Sequence, residues 1–411
     1  MTPAQSPPPF DPEVFAADPY GVLARLREDT PVVRVTLPEG TSAWVVTREA
    51  DVRAWLGDPR LSLDKTHSTT GYRGFSLPPE LDTNLLNMDG ADHLRLRRLV
   101  SQAFTPRRVE ELRPRIEEAA GRLADGVAAA GRSGPVDLVR AYAGPLPMTV
   151  IGDLFGLPAE GRRPFAELIG SVIGARTPDS TRAAVAAIAA FMRELIDGRR
   201  AAPGDDLLSG LIAARDEGDR LSESELVSLA FLIVGAGIEN VTHLISGGVH
   251  TLLTHPGQLA AVRADPEGLL PAAVEELLRC VHPNVTAIRR FPVEDIEVGG
   301  TVIPRGETVL LALAAAHRDP ARYPEPDRFD VRRADTAHLA LGQGLHYCQG
   351  APLARLQIRI ALGTLLERFP ALRLADGEPA LWRTTFRSHA PARLPVLVTA
   401  GDAGPGGRVR R

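Results

Sequence analysis

The sequence predicts a mainly α fold with small β-sheets, organised as a single domain. Helical apolar periodicity dominates from Ala91 to Ala130 and again through 141–200 and later segments. Strand-like alternation is confined to short pieces near residues 31–47, at 295–312 and at the C-terminal end. No linker-like stretch divides the helical core and no internal repeat is evident, so one large domain accommodates the 411 residues.

The elements follow in order. Residues 1–9 are proline-rich and expected as a flexible arm, 10–400 as the folded domain, and 401–411 (GDAGPGGRVRR) as a disordered tail. Phe10 to Glu28 contains an entry segment and a helix. VVRVTL and AWVVT, separated by Pro38, Glu39 and Gly40, form a hairpin pattern. Residues 57–90 form a long irregular connection anchored by Leu85 and Leu86, of the kind that often serves function. Pro106 starts a new helix within the 91–130 stretch, and the 141–200 helices break near Pro158 and Pro178. Ser222 precedes Glu225 by three residues, a capping-box pattern opening a helix to about Leu253, which His255, Pro256 and Gly257 end. A helix covers Leu269 to Cys280, and Pro283 stops it. IEVGG, TVIP and ETVLLAL alternate as short strands, His317 to Leu345 is irregular, a helix follows Gly350, and LPVLVTA is a closing strand.

Composition excludes several classes. With 47 basic and 51 acidic residues the formal net charge is −4, which calls for neither nucleic acid nor an anionic membrane as partner. Two cysteines, Cys280 and Cys348, are too few for a secreted disulfide scaffold. MTPAQSPPPF is not a signal peptide. No segment approaches the roughly 20 apolar residues that cross a bilayer, since LAFLIVGAGI runs into Glu239. The expectation is a soluble cytoplasmic monomer.

The chemistry concentrates in HLALGQGLHYCQGAPLARLQ, residues 338–357. A lone cytosolic cysteine is ordinarily a buried small hydrophobe. Here Gly342, Gly344 and Gly350 surround Cys348, and a helical sequence follows. Glycines let backbone turn tightly and approach a flat cofactor, and free N–H groups at a helix start stabilise a thiolate. Zinc is disfavoured because no second cysteine lies at ligand spacing. A Cys–His pair with His346 would leave the three glycines unexplained.

The segment resembles the haem-binding signature of the cytochrome P450 superfamily, Phe-Gly-x-Gly-x-His-x-Cys-x-Gly, running here from Leu341 to Gly350 with leucine in place of phenylalanine. The resemblance spans nearly the whole chain and implies that superfamily's fold, with haem b between a long distal helix and a proximal cysteine loop. Cys348 would be the iron ligand, its thiolate favouring O–O cleavage.

Further residues follow from the resemblance. In AVEELLRC, Glu276 and Arg279 share a helix face. Alone they would be an ordinary surface pair, but the superfamily uses Glu-x-x-Arg here as a buried pair, with a third partner, Arg328, from PEPDRF. DHLRLRRL supplies His93 and Arg97, the cysteine loop His346, and IRRFPVEDIEV supplies Arg290, with Arg289 as rival, as partners of the haem propionates; His338 is a further candidate.

FLIVGAGIENVTHLI matches the distal helix. Ala236 and Gly237 leave room on one face, while Glu239 and Asn240 interrupt an apolar run. The superfamily usually has threonine after the acid and breaks the helix slightly there. Asparagine can hold a water but cannot relay a proton as a hydroxyl does. Glu239 would connect to solvent, and Asn240 or a substrate hydroxyl would organise the water.

The implied activity is a monooxygenase inserting one oxygen atom of O2 into a small, largely apolar organic metabolite of bacterial secondary metabolism. The alternatives are oxidative ring coupling or rearrangement without oxygen insertion, a haem sensor or carrier without turnover, and a non-haem cysteine hydrolase. Electrons would come from NAD(P)H through a separate reductase and a ferredoxin or flavodoxin, with Arg107, Arg108 and Arg355 as candidate docking contacts. Leu85, Leu86, Val285, Thr286, Thr385 and Phe386 are the candidate substrate pocket.

Overall fold

The protein is described by a computed structural model over residues 11–398, apart from 38–39, 70, 72–78, 103, 159, 163, 166, 169–177 and 217–220. The expected N-terminal arm and C-terminal tail lie outside the described residues.

Two short helices open the chain, α1 (Pro12–Ala17) and α2 (Pro19–Asp29). Each has proline at its start, and the Asp11 or Asp18 carboxylate accepts from the first-turn N–H groups. The expected hairpin is β1 (Val32–Thr36) with β2 (Ser42–Val46), antiparallel, and β2 continues in parallel to β8 (Val309–Leu311). After α3 (Glu49–Leu56), the described parts of the 57–90 connection carry short elements that the sequence does not announce. β3 (Leu61–Ser62) pairs with β5 (Phe291–Pro292), and α4 (Pro79–Asp82) packs on the central helix. Polar side chains pin this segment: Lys65 Nζ lies 2.6 Å from Asp82, and Asn84 Nδ2 donates to Ser228 Oγ at 3.0 Å.

The helical body comprises α5 (Gly90–Ser101), α6 (Pro106–Glu111), α7 (Arg113–Gly131), α8 (Pro145–Leu154), α9 (Pro178–Ala201) and α10 (Leu207–Asp216). It continues with α11 (Glu223–Thr254), α12 (Pro256–Ala264), α13 (Pro266–Val281), α14 (Leu313–Ala316) and α15 (Ala351–Arg368). The capping box forms: Glu225 N–H donates to Ser222 Oγ at 3.2 Å and Ser222 N–H to Glu225 Oε2 at 2.8 Å. α11 runs 32 residues and, contrary to the sequence expectation, is long and apolar enough to span a bilayer by length and composition. Its apolar residues are instead spent on the core, where it packs against α4, α8, α9, α13 and α15. α13 begins three residues earlier than expected, because Asp265 caps it at Gly268 N–H and Pro266 occupies its first position.

The remaining strands form small sheets: β4 (Val136–Asp137), β12 (Pro395–Leu397) and β9 (Arg373–Leu374) in one, β6 (Ile296–Val298) with β7 (Thr301–Ile303), and the hairpin β10 (Leu381–Thr384) with β11 (His389–Arg393). This last hairpin lies against α11.

Candidate functional site

The cysteine loop is built by its glycines. Gly342 and Gly344 hold φ of +76° and +70°, a region that L side chains rarely enter. A Cβ on Gly344 would also stand 3.3 Å from Gly57 Cα. Gly350 differs: its φ is −81°, and nothing lies within 4 Å of a Cβ there, so open space rather than conformation distinguishes it. The loop doubles back through Cys348 N–H donating to Leu341 O at 2.8 Å, then enters α15. Cys348 is a free, exposed cysteine just ahead of that helix. Partial desolvation by the protein around it raises the thiol above its ordinary value; the Gly350 N–H, the guanidiniums of Arg355 and Arg97 and the Ala351 N–H pull the other way.

Basic groups converge beside the loop. His93, on α5, is buried with neither ring nitrogen partnered, and burial, with His346 and Arg97 nearby, lowers its pKa to about 4. Its ring centroid is 4.1 Å from that of His346. Arg290 is also buried with its Nε unpartnered, while Nη1 and Nη2 make only 3.4 Å contacts to Leu61 O and Leu56 O. Arg97 donates to Tyr347 O at 2.8 Å. Unpartnered buried donors are costly, and these fit the carboxylates of a haem. Arg289, the rival, is turned to Leu86 O and Asn87 Oδ1. Sequence reasoning missed Asp89, one residue ahead of α5. It receives His346 Nε2 at 2.9 Å, Ser62 Oγ at 2.6 Å and the Leu63 N–H at 2.8 Å.

The expected buried pair is present. Arg279 Nε and Nη2 each lie 2.8 Å from a Glu276 oxygen, and both side chains are 0% exposed. Burial raises the Glu276 carboxyl, but Arg279, the Asp330 N–H and Arg333 outweigh it and hold it low. The third partner needs correction. Arg328 is 55% exposed and pairs with Glu325; Arg333 supplies the guanidinium, its Nε 3.1 Å from Glu276 Oε1. The turn explains the exchange. Glu325 takes a left-handed φ of 47°, and the carbonyls of Pro324, Glu325 and Arg328 accept from Arg333. Arg328 therefore contributes its carbonyl, not its side chain.

On the distal side α11 runs without a break. Ala236 is exposed, but Gly237 is not the companion opening expected: a Cβ there would come 2.6 Å from Ile151 Cδ1, so Gly237 serves packing on α8. Glu239 and Asn240 are half-buried. Glu239 does not simply face solvent, because Arg383 of β10 places Nη2 3.4 Å from its Oε1. Thr242, one turn after Ile238, is no substitute hydroxyl, since Oγ1 donates to Ile238 O at 2.9 Å.

The pocket residues separate. Val285 and Phe386 are buried in one core cluster with Phe15 and Leu23, and Leu85 is buried in the main core, so these three are walled off rather than lining open space. Thr286 is buried and Leu86 half-buried; Thr385 Oγ accepts from Ser388 N–H at 3.0 Å and fixes the β10–β11 turn. Sequence reasoning passed over Ile288, which is 41% exposed between these residues and Arg290. One other candidate falls away, His338. His338 bonds Glu275 rather than joining the basic cluster, and Arg355, a candidate docking contact, is bound to Glu275 and Tyr347. Arg107 pairs with Glu111.

The family profile for cytochrome P450 matches residues 175–381. The chain is 46% identical to the cytochrome P450 monooxygenase PikC of Streptomyces venezuelae over 93% of its own length and 91% of the relative's. It is 43% identical to the 6-deoxyerythronolide B hydroxylase of Saccharopolyspora erythraea, covering 95% and 98% of the two chains. Its structure superposes on tirandamycin C-bound P450 monooxygenase TamI with a TM-score of 0.88 at 40% identity, covering 96% of this chain and 100% of that one.

Proposed function

The chain belongs to the cytochrome P450 family, and from that premise we propose that it inserts one oxygen atom of dioxygen into a bulky, largely apolar metabolite of macrolactone type. The observation that carries the site is the exposed Cys348 beside a basic cluster in which His93 and Arg290 keep buried donors unpartnered. The substrate class rests on the relative named as 6-deoxyerythronolide B hydroxylase.

Cys348 would hold the haem iron, and His93, Arg97, Arg290 and His346 its propionates. When bound, the haem supplies dioxygen activation and the oxidation of the substrate. The chain's own residues position substrate and manage protons. Glu239 takes protons from solvent, and Asn240 holds a water beside it through its amide oxygen and N–H2. Family membership supports a supply of electrons from NAD(P)H through a reductase and a ferredoxin or flavodoxin. The free thiol of Cys280 is consistent with a reducing cytoplasm.

The test is an optical titration of purified protein, first with carbon monoxide after reduction, then with macrolactones, steroids, flavonoids and phenols. A thiolate-type band and a high-spin shift with macrolactones are expected. No haem band after reconstitution would sink the chemistry; a shift with phenols alone would sink the substrate class. Asn240, with the Thr242 hydroxyl already engaged, favours a second reading, ring coupling or rearrangement. Absence of label in the product formed under isotopic dioxygen would establish it.

A further inference from the structure

The two adjacent glutamates of α13 serve different networks. Glu276 ties the helix to Arg279 and Arg333, whereas Glu275 turns to the cysteine loop. Arg355, in the second turn of α15, grips Glu275 with both arms, Nε to Oε1 at 2.6 Å and Nη2 to Oε2 at 2.9 Å. Its remaining Nη1 lies 3.2 Å from the hydroxyl of Tyr347, the residue before Cys348. His338 Nε2, ahead of the loop, stands 3.2 Å from Glu275 Oε2. Arg97 closes the set from α5 by donating to Tyr347 O at 2.8 Å.

One carboxylate thus holds the start of the loop and the helix that follows it, and through Arg355 the residue beside the sulfur. The bidentate fork is the geometry that most restricts a guanidinium. Both groups stay charged. Burial raises the Glu275 carboxyl, but His338 and Arg355 outweigh it and bring it to about 2; the pairing with Glu275 raises Arg355. The network is half-exposed at the surface, so its charges are partly screened but not lost.

Resting on the assignment of Cys348 as iron ligand, we propose that Glu275 and Arg355 clamp the cysteine loop, with Arg355 a positioning residue whose cation acts on the Cys348 sulfur and sets the potential of the bound iron. A fixed cation beside the sulfur favours the reduced, more negative state of the site; an anion disfavours it. Loss of Arg355 and loss of Glu275 should therefore move the potential in opposite directions, which loosening of the loop alone would not do.

The experiment uses the full-length haem-loaded chain and its R355Q, R355K and E275Q variants, with redox titration and the spectrum of the reduced carbon monoxide complex as readouts. The proposal expects a lower potential in R355Q, a higher one in E275Q, and R355K close to wild type. It also expects the thiolate-type band to be lost at lower denaturant in R355Q. If R355Q does not fold, E275Q decides the matter: a higher potential supports the clamp and an unchanged or lower one overturns it. Shifts of the same sign in R355Q and E275Q, or none, overturn it as well. A wild-type protein lacking the thiolate-type band would instead fail the assignment of Cys348.

Discussion

Arg383 on β10 places Nη2 3.4 Å from Oε1 of Glu239 on α11, so the acid of the distal helix is tethered to the C-terminal hairpin. The same hairpin is fixed one step further along: Trp382 meets the ring of His250 edge-on at 5.2 Å, and Val285 N–H donates to Arg387 O at 2.8 Å. The acid proposed to carry protons and the C-terminal hairpin therefore share a mechanical connection. E239Q removes the proton carrier and is expected to lower turnover by roughly 10²-fold. R383Q keeps the carboxylate but frees it, so it should lower product formed per dioxygen consumed while leaving substrate affinity near wild type. Oxygen consumption, peroxide and product measured together check this. Equal coupling in R383Q and wild type would show the tether to be idle.

The exchange of Arg333 for Arg328 has an energetic consequence. Of these two arginines only Arg333 is a charged partner of the fully buried Glu276, alongside Arg279. R333A is expected to cost about 2 kcal/mol, the loss of one charged hydrogen bond to a carboxylate that keeps Arg279. R328A, which removes an exposed ion pair and leaves the carbonyl in place, should fall within about 0.5 kcal/mol of wild type. Denaturant midpoints of the two variants decide it, and the reverse order would restore Arg328 to the network.

What the sequence made legible follows a physical pattern. The capping box at Ser222, the Glu276–Arg279 spacing and the cysteine loop are local, and a fixed spacing along the chain encodes each of them. Arg333, Asp89 and the Arg383–Glu239 contact join residues far apart in sequence, through turns without periodicity. The guanidinium that reaches Glu276 is selected by the left-handed turn at Glu325, which no pattern in PEPDRF announces. Gly237 shows the opposite case: its small size beside Glu239 suggests an opening in the sequence, whereas the packing of Ile151 from α8 accounts for it.

Acid should destabilise the fold through its buried histidines. Burial lowers His282 to about 4, and burial together with Arg383 lowers His243 to about 4. Both are neutral in the native protein, whereas the unfolded chain takes up their protons near its ordinary value of about 6.5. Between those limits the unfolded state binds more protons, so stability is complete above about pH 6.5 and falls as the pH drops toward 4. Each such histidine contributes a slope of about 1.4 kcal/mol per pH unit in that window. His282→Gln should flatten the profile by one histidine's share. Parallel profiles for variant and wild type between pH 4.5 and about 6.5 would contradict the assignment.

Asn240 offers the sharpest test of substrate fit. It sits beside Glu239 on an unbroken helix, and the nearest downstream hydroxyl, Thr242, is already bonded to Ile238 O. A hydroxyl at 240 would provide the relay that an amide cannot, but it would also withdraw the amide N–H2 that steadies the water. If Asn240 is matched to a substrate that brings its own hydroxyl, N240T should lower product per dioxygen with that substrate and raise peroxide. With an analogue lacking the hydroxyl, the same variant should gain, since only there is a relay missing. The paired comparison of substrate and deoxy analogue separates the two effects. Higher turnover with both, without added peroxide, would show that Asn240 is not tuned to its substrate.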